Sequence, residues 1–291
     1  QEKVTTSLLV LENEDKVFIT GRPIHLVWAD RDKVQIFSRR GGPLYLQQVP
    51  SGHISGITFR YVGSDQNSAM NLLDSTCVVT QCRAIEGILS GVVIYGPQSR
   101  PTFVENEVCG NRESGIFVFA GAQPRIADNL CRGNHHFGIA VRDPGSHPEL
   151  VRNQCRENML SGILLFHHAE ALLVDNTCSE NQHWGMVITP DCHPTPGREA
   201  LDSSNILAPN PRGTLIVTDQ PLSDIGSDGP SPVSLVCLVY SVCFVGLVQP
   251  NKQDKPNNGL LTLEEFFSIL LRKEIGRVSS GDFVEVECAA A

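Results

Sequence analysis

The sequence predicts an all-β solenoid of stacked parallel coils with a short tail of helical pattern, and three observations predict it. Glycines recur at Gly91, Gly115, Gly138, Gly162 and Gly185, in steps of 24, 23, 24 and 23 residues. Asparagines keep step with the last four, lying four residues before them (Asn111, Asn134, Asn158, Asn181) and nine before them (Asn106, Asn129, Asn153, Asn176). Between these marks run alternating segments such as "GIFVF", "GIAVR" and "GILLF", whose period of two is that of a strand with one buried face.

Taken in order, residues 1–90 carry strand-like runs, "SLLVLE", "KVFITG", "VQIFS", "PLYLQQ", "GITFRY" and "CVVTQC". Their uneven spacing predicts irregular early coils. Residues 91–198 hold the regular repeats: a strand, a turn with Gly or Pro, a shorter strand such as "PRIAD", and an Asn-bounded corner. Two or three short strands per repeat fall short of a four-stranded propeller blade, which uses about 40–45 residues, and no Leu-rich consensus is present. They suit one coil of a right-handed parallel β-helix, each turn lying about 4.8 Å from the last. Residues 199–220 form a terminal coil or cap ending in "GTLIVTDQ". Residues 221–291 comprise a linker ("PLSDIGSDGPSP"), an uncharged apolar run over 233–248 and a helical tail. The apolar run has 16 residues, short of the roughly 20 that a spanning helix needs.

Stacking gives the repeated residues their jobs. Asn is expected to bond from coil to coil as a ladder, and to take the left-handed backbone of the corner. Ile116/Val118, Ile139/Val141, Ile163/Leu165 and Met186/Ile188 are expected inside. Alternation then puts Val93, Tyr95, Phe117, Phe119, Ala140, Arg142, Leu164, Phe166, Val187 and Thr189 outside. Cys131, Cys155 and Cys178 share one inward slot with Val108, which favours core packing over a thiolate metal site.

This residue set resembles the right-handed parallel β-helix repeat family, whose units read G-[IV]-x-[VL]…P-x-[IL]-x-x-N-x-[IVC]-x-x-N. The likeness runs from Gly91 to Thr189. It is greatest to intracellular eukaryotic members, the F-box-type ubiquitin-ligase adaptors and the Shc SH2-binding proteins of cell division, and implies a recognition module. No F-box or SH2-type segment is present.

Composition narrows the function. A net charge of −9 without a basic stripe argues against nucleic-acid binding. The chain begins at Gln1 without an initiator Met, as a fragment or processed product would, and shows no charged-then-apolar leader. No N-x-S/T acceptor occurs. An intracellular setting, cytoplasmic or nuclear, is expected, with no membrane span and no cofactor or metal. His135, His136, His147, His167, His168, His183 and His193 fall at corners without converging, as solvated turn residues do. Glu105, Asp128 and Asp175 share a slot with Arg152 between the last two, which predicts a charge-balanced ladder rather than an acid–base pair. In the tail, Asp254, Asn258, Gly259, Leu261, Thr262 and Glu265 match EF-hand loop positions 1, 5, 6, 8, 9 and 12, but Pro256 stands where position 3 needs an oxygen.

The outward positions carry the functional expectation. Tyr95, Phe117, Phe119, Arg142, Leu164 and Phe166 form a stripe of the residue types that anchor protein interfaces. They predict a non-catalytic module that binds a protein partner, as part of a larger adaptor or scaffold. The alternatives are a carbohydrate-binding or polysaccharide-cleaving β-helix, for which a glycan would be the ligand, and a purely structural spacer. The other occupant considered for the stripe is a further part of this chain, the tail included.

Overall fold

The computed structural model describes residues 7–11 and 17–218. Its strands fall into three parallel sheets, and each strand pairs with the third strand after it in sequence, except that Trp184–Ile188 pairs with the second, Gly213–Val217. The first sheet runs from Ser7–Leu11 through Thr58–Tyr61, Glu107–Cys109 and Leu130–Arg132 to Thr177–Ser179. The second begins at Val17–Thr20, continues through Val92–Tyr95, Ile116–Phe119, Ile139–Arg142, Ile163–Phe166 and Trp184–Ile188, and closes on Gly213–Val217. The third contains Thr102–Val104, Arg125–Ala127 and Glu149–Val151 and ends on His193–Thr195. The result is an all-β parallel solenoid with very little helix among the described residues: a 3-10 turn at Arg198–Ala200 and one helical turn at Leu201–Ser204.

The interior is a stack of aliphatic rows. Ile116, Val118, Ile139, Val141, Ile163, Leu165, Met186 and Ile188 belong to one continuous core. In the first sheet a single register column reads Phe59, Ala84, Val108, Cys131, Cys155, Cys178, all buried. The three cysteines are free thiols on successive coils. Hydrogen bonding to the Cys155 thiol and burial together hold Cys131 well above the usual thiol range, so this column is packing material and not a reactive site.

The early coils are coils of the same three sheets. Val17 pairs with Leu44, Leu44 with Met70, and Met70 with Val92, steps of 27, 26 and 22 residues. Variable turns between constant strands hide the repeat. Ile24–Val27, Gly52–Ser55, Met70–Leu73 and Arg83–Ile85 are strands that the sequence pattern left unmarked.

Two asparagine ladders line the coil corners. Asn158 is typical: its Oδ1 accepts from the backbone N–H of Asn134 at 3.1 Å and from its Nδ2 at 3.0 Å. Its own Nδ2 donates to the carbonyl of Cys131 at 3.1 Å and to Asn181 Oδ1 at 2.9 Å. Both ladders run one coil further than the repeat suggests, to Asn205 and Asn210. The Arg198–Ser204 excursion stretches that last coil to a 29-residue step and conceals them.

One expectation is corrected. The ladder asparagines do not carry the left-handed backbone; the residue before each of them does. Glu105, Asp128, Arg152 and Asp175 have φ of 56°, 57°, 52° and 57°, and in the other ladder Gly110, Gly133, Glu157 and Glu180 have 66°, 61°, 57° and 58°. The chain turns on the preceding residue, which leaves the Asn amide free to bond along the stack. This explains why that slot is exposed and tolerant of charge, while the Asn slot is invariant.

Candidate interaction face

The outward side chains of the second sheet, Val93, Phe117, Phe119, Ala140, Leu164, Phe166 and Val187, gather with Phe137 from a preceding turn into an apolar cluster separate from the interior. The alternation is therefore in the expected phase. Register sets Tyr95 beside Phe119, Phe117 beside Ala140, and Arg142 beside Phe166. The Tyr95 and Phe119 rings stack at 5.1 Å, 6° from parallel, and Phe117 leans on Phe119 at 4.9 Å. Arg142 lies over both phenyl rings, its Cζ 5.5 Å from the Phe117 centroid and 5.3 Å from that of Phe119, an arrangement worth about 0.5–2 kcal/mol. Its Nε meets Asp143 Oδ1 at 3.1 Å. The Tyr95 hydroxyl shares a hydrogen bond with that of Tyr45, and burial followed by this bond raises its pKa.

The other sheets look different outside. The third carries an exposed Arg125–Glu149 pair at 2.9 Å. On the first, Glu107 gathers Arg31, Arg83 and Arg132 at 3.3, 2.8 and 2.7 Å. Burial opposes ionisation of Glu107, but hydrogen bonds from Arg83 and Arg132 outweigh it and hold the carboxyl below its ordinary range. Asp128 takes both its oxygens to Arg152 at 2.7 Å, and that contact lowers its pKa. The Glu105/Asp128/Asp175 slot thus lies on the surface, with Asp128 paired to Arg152.

The corner histidines divide. His167 and His147 meet Asp143 and Glu170 at 2.8 and 3.0 Å and stay exposed. No group of three or more metal-ligating side chains converges among the described residues. No described helix is long and apolar enough to cross a membrane. The apolar run at 233–248 and the EF-hand-like loop at 254–265 lie outside the described residues.

All six stripe residues sit together on this face, yet they are not open to solvent. Phe117, Phe119, Arg142, Leu164 and Phe166 are 4%, 4%, 5%, 2% and 8% exposed, and Tyr95 is half-buried. Two titratable groups in the turns leading into this sheet depart from the sequence reading: Glu113 was not singled out, and His136, expected among the solvated corner histidines, is partly buried. Glu113 is buried with one carboxylate oxygen unpartnered, and burial pushes its pKa up to about 7. Burial followed by the nearby His135 brings His136 down to about 4.

These two groups make stability depend on pH with opposite signs. Between about 4.5 and 7 the unfolded chain holds fewer protons at Glu113 than the folded one, so stability falls as pH rises through that window. Between about 4 and 6.5 the unfolded chain holds more protons at His136, so that contribution rises with pH. Glu113→Gln is expected to leave stability near wild type at pH 4.5 and to raise it at pH 8, by up to about 3 kcal/mol at ~1.4 kcal/mol per pKa unit. Thermal melts at both pH values check it; an equal effect at the two would remove the buried-carboxylate account.

Comparison with known proteins agrees with the architecture. A family model described as "Right handed beta helix region" matches residues 45–197, 153 of the 291. No curated protein matches the sequence. Among solved structures, a double mutant of the periplasmic alginate epimerase AlgG aligns at 15% identity and a TM-score of 0.39. The alignment covers 70% of this chain and 66% of the epimerase. With its coils, ladders and three parallel sheets matched over more than half its length, the chain belongs to the right-handed β-helix family.

Proposed function

We propose that the protein is a non-catalytic β-helix recognition module, part of a larger adaptor or scaffold, and that the outer face of its second sheet seats an apolar polypeptide segment. The observation that carries this is the strip itself. Tyr95, Phe117, Phe119, Leu164 and Phe166 surround one planar cation, Arg142, on a sheet face whose counterparts on the other two sheets carry ion pairs. Aromatic rings bury much area at little rotamer cost, and a planar guanidinium stacks on them while keeping its donors, which is why both residue types anchor protein interfaces. A stacked row of free thiols at Cys131, Cys155 and Cys178 suits a reducing compartment, which supports an intracellular site of action and the likeness to intracellular adaptors.

The test is to pan a library of displayed polypeptide segments on the intact chain and on Phe119→Ser/Phe166→Ser, beside a glycan array. Apolar segments should be enriched by the first and lost from the second, with the folded state kept by circular dichroism. A glycan ligand that survives the double substitution would replace this reading with a carbohydrate-binding one.

A further inference from the structure

We propose that the paired imidazoles of His167 and His168 form a surface site for a divalent d-block cation such as zinc. Both lie in the turn from Ile163–Phe166 of the second sheet to Glu170–Val174 of the third, and neither belongs to the apolar cluster of the strip. The backbone gives the first observation. His167 and His168 have φ of 56° and 59°, and among the described residues they are the one neighbouring pair of non-glycine residues with both φ positive. Two coils earlier the same turn is made by Ala120-Gly121, with φ of 54° and 81°, and both turns end on a fully buried alanine, Ala122 and Ala169. A small residue and a glycine therefore satisfy the fold. An imidazole at the second position stands where glycine is the relaxed choice, and backbone held in this way gathers at functional sites.

The carboxylates give the second. His167 Nδ1 meets Asp143 Oδ1, one coil before, at 2.8 Å. His168 Nδ1 lies 3.6 Å from Asp191 Oδ2, one coil after, and that oxygen accepts the His168 backbone N–H at 3.0 Å. Both aspartates are themselves held: Asp143 by Arg142 Nε at 3.1 Å and the Ala120 N–H at 3.3 Å, Asp191 by the Thr189 hydroxyl. A carboxylate at Nδ1 fixes the tautomer and leaves the Nε2 lone pair for a ligand, and metal-binding histidines almost always carry such a partner. The two side chains are 59% and 60% exposed, so the rings are open to solvent. Their spacing is the third observation. The centroids lie 5.8 Å apart, and an ion about 2.0–2.1 Å from each Nε2 holds two ring centroids roughly 5–6 Å apart. Imidazole suits zinc, nickel and copper. With fewer than three protein ligands converging, water or a partner's side chain completes the shell.

The experiment titrates the reduced full chain with zinc by calorimetry, beside His167→Ala with His168→Gly, which copies the Ala120-Gly121 turn and should keep the circular dichroism of the fold. The expected result is one zinc fewer bound by the double variant. Asp143→Asn and His167→Gln, each alone, should weaken that site by about tenfold or more. His147→Ala, which removes the ring on Glu170, should leave it unchanged. In long-range proton–nitrogen spectra of the intact chain, zinc should shift the Nε2 resonances of two histidines that the double variant lacks. An equal zinc count in the intact chain and the double variant would overturn the proposal. Loss of the site in His147→Ala, or zinc attached through Nδ1, would overturn it as well.

Discussion

Asn158→Leu is expected to destabilise the protein by at least about 3 kcal/mol. The side chain is fully buried and makes four hydrogen bonds along the stack. Leucine fills nearly the same space but satisfies none of them. The Asn134 backbone N–H and amide each lose an acceptor and the Cys131 carbonyl loses its amide donor, while Asn181 Oδ1 keeps only the backbone N–H of residue 158. Each stranded buried group costs roughly 1–3 kcal/mol, and relaxation recovers part of the sum. Urea unfolding measures it. A midpoint within error of wild type would mean that the amides align without contributing to stability, and that the apolar rows alone hold the coils.

A comparable loss, about 3 kcal/mol, is expected for Gly162→Ala, for a different reason. A Cβ at this position would lie 2.7 Å from the Cβ of Cys178 and 2.7 Å from the carbonyl oxygen of Gly185. One is a core side chain and the other backbone, so neither yields cheaply, and overpacking of this kind costs about 1–3 kcal/mol or more. The repeated glycine is thus a matter of space. Gly110 and Gly133 differ: an added Cβ meets nothing within 4 Å, and their φ of 66° and 61° is the constraint. Combining Gly162→Ala with Cys178→Ala should recover little, because alanine keeps the Cβ that collides. Full recovery in that double variant would put the conflict at the sulfur instead.

The regular coils were legible because every constraint acts once per turn. A glycine needed for close approach, an amide that must meet its copy, and alternating inward aliphatics all return at the interval of one coil. Where turns vary in length the same constraints hold but their spacing does not. Met70–Leu73 and Asn205 therefore escaped a reading that relied on period. The handed corner was misassigned for a related reason. Asn tolerates left-handed backbone, but its amide is committed to the stack, and the turn passed to the residue before it. The strip was identified residue by residue from alternation alone. Its burial was not legible, since sequence gives the direction of a side chain and not what lies over it. The burial of Glu113 and of His136 was hidden by the same gap between direction and environment.

The excursion at Arg198–Ser204 shows how such a chain can change. It adds residues between the third sheet and the following first-sheet corner, yet Asn205 and Asn210 still meet Asn176 and Asn181 at 3.0 and 3.1 Å. Closing a longer loop costs little, only about 0.6 kcal/mol for each doubling of length. Moving a strand by one residue would instead turn its whole inner row outward. Insertions in this architecture are therefore cheap when they fall between rungs and ruinous within them. The corner after the third sheet is a natural place for lineage-specific ornament, or for a grafted peptide.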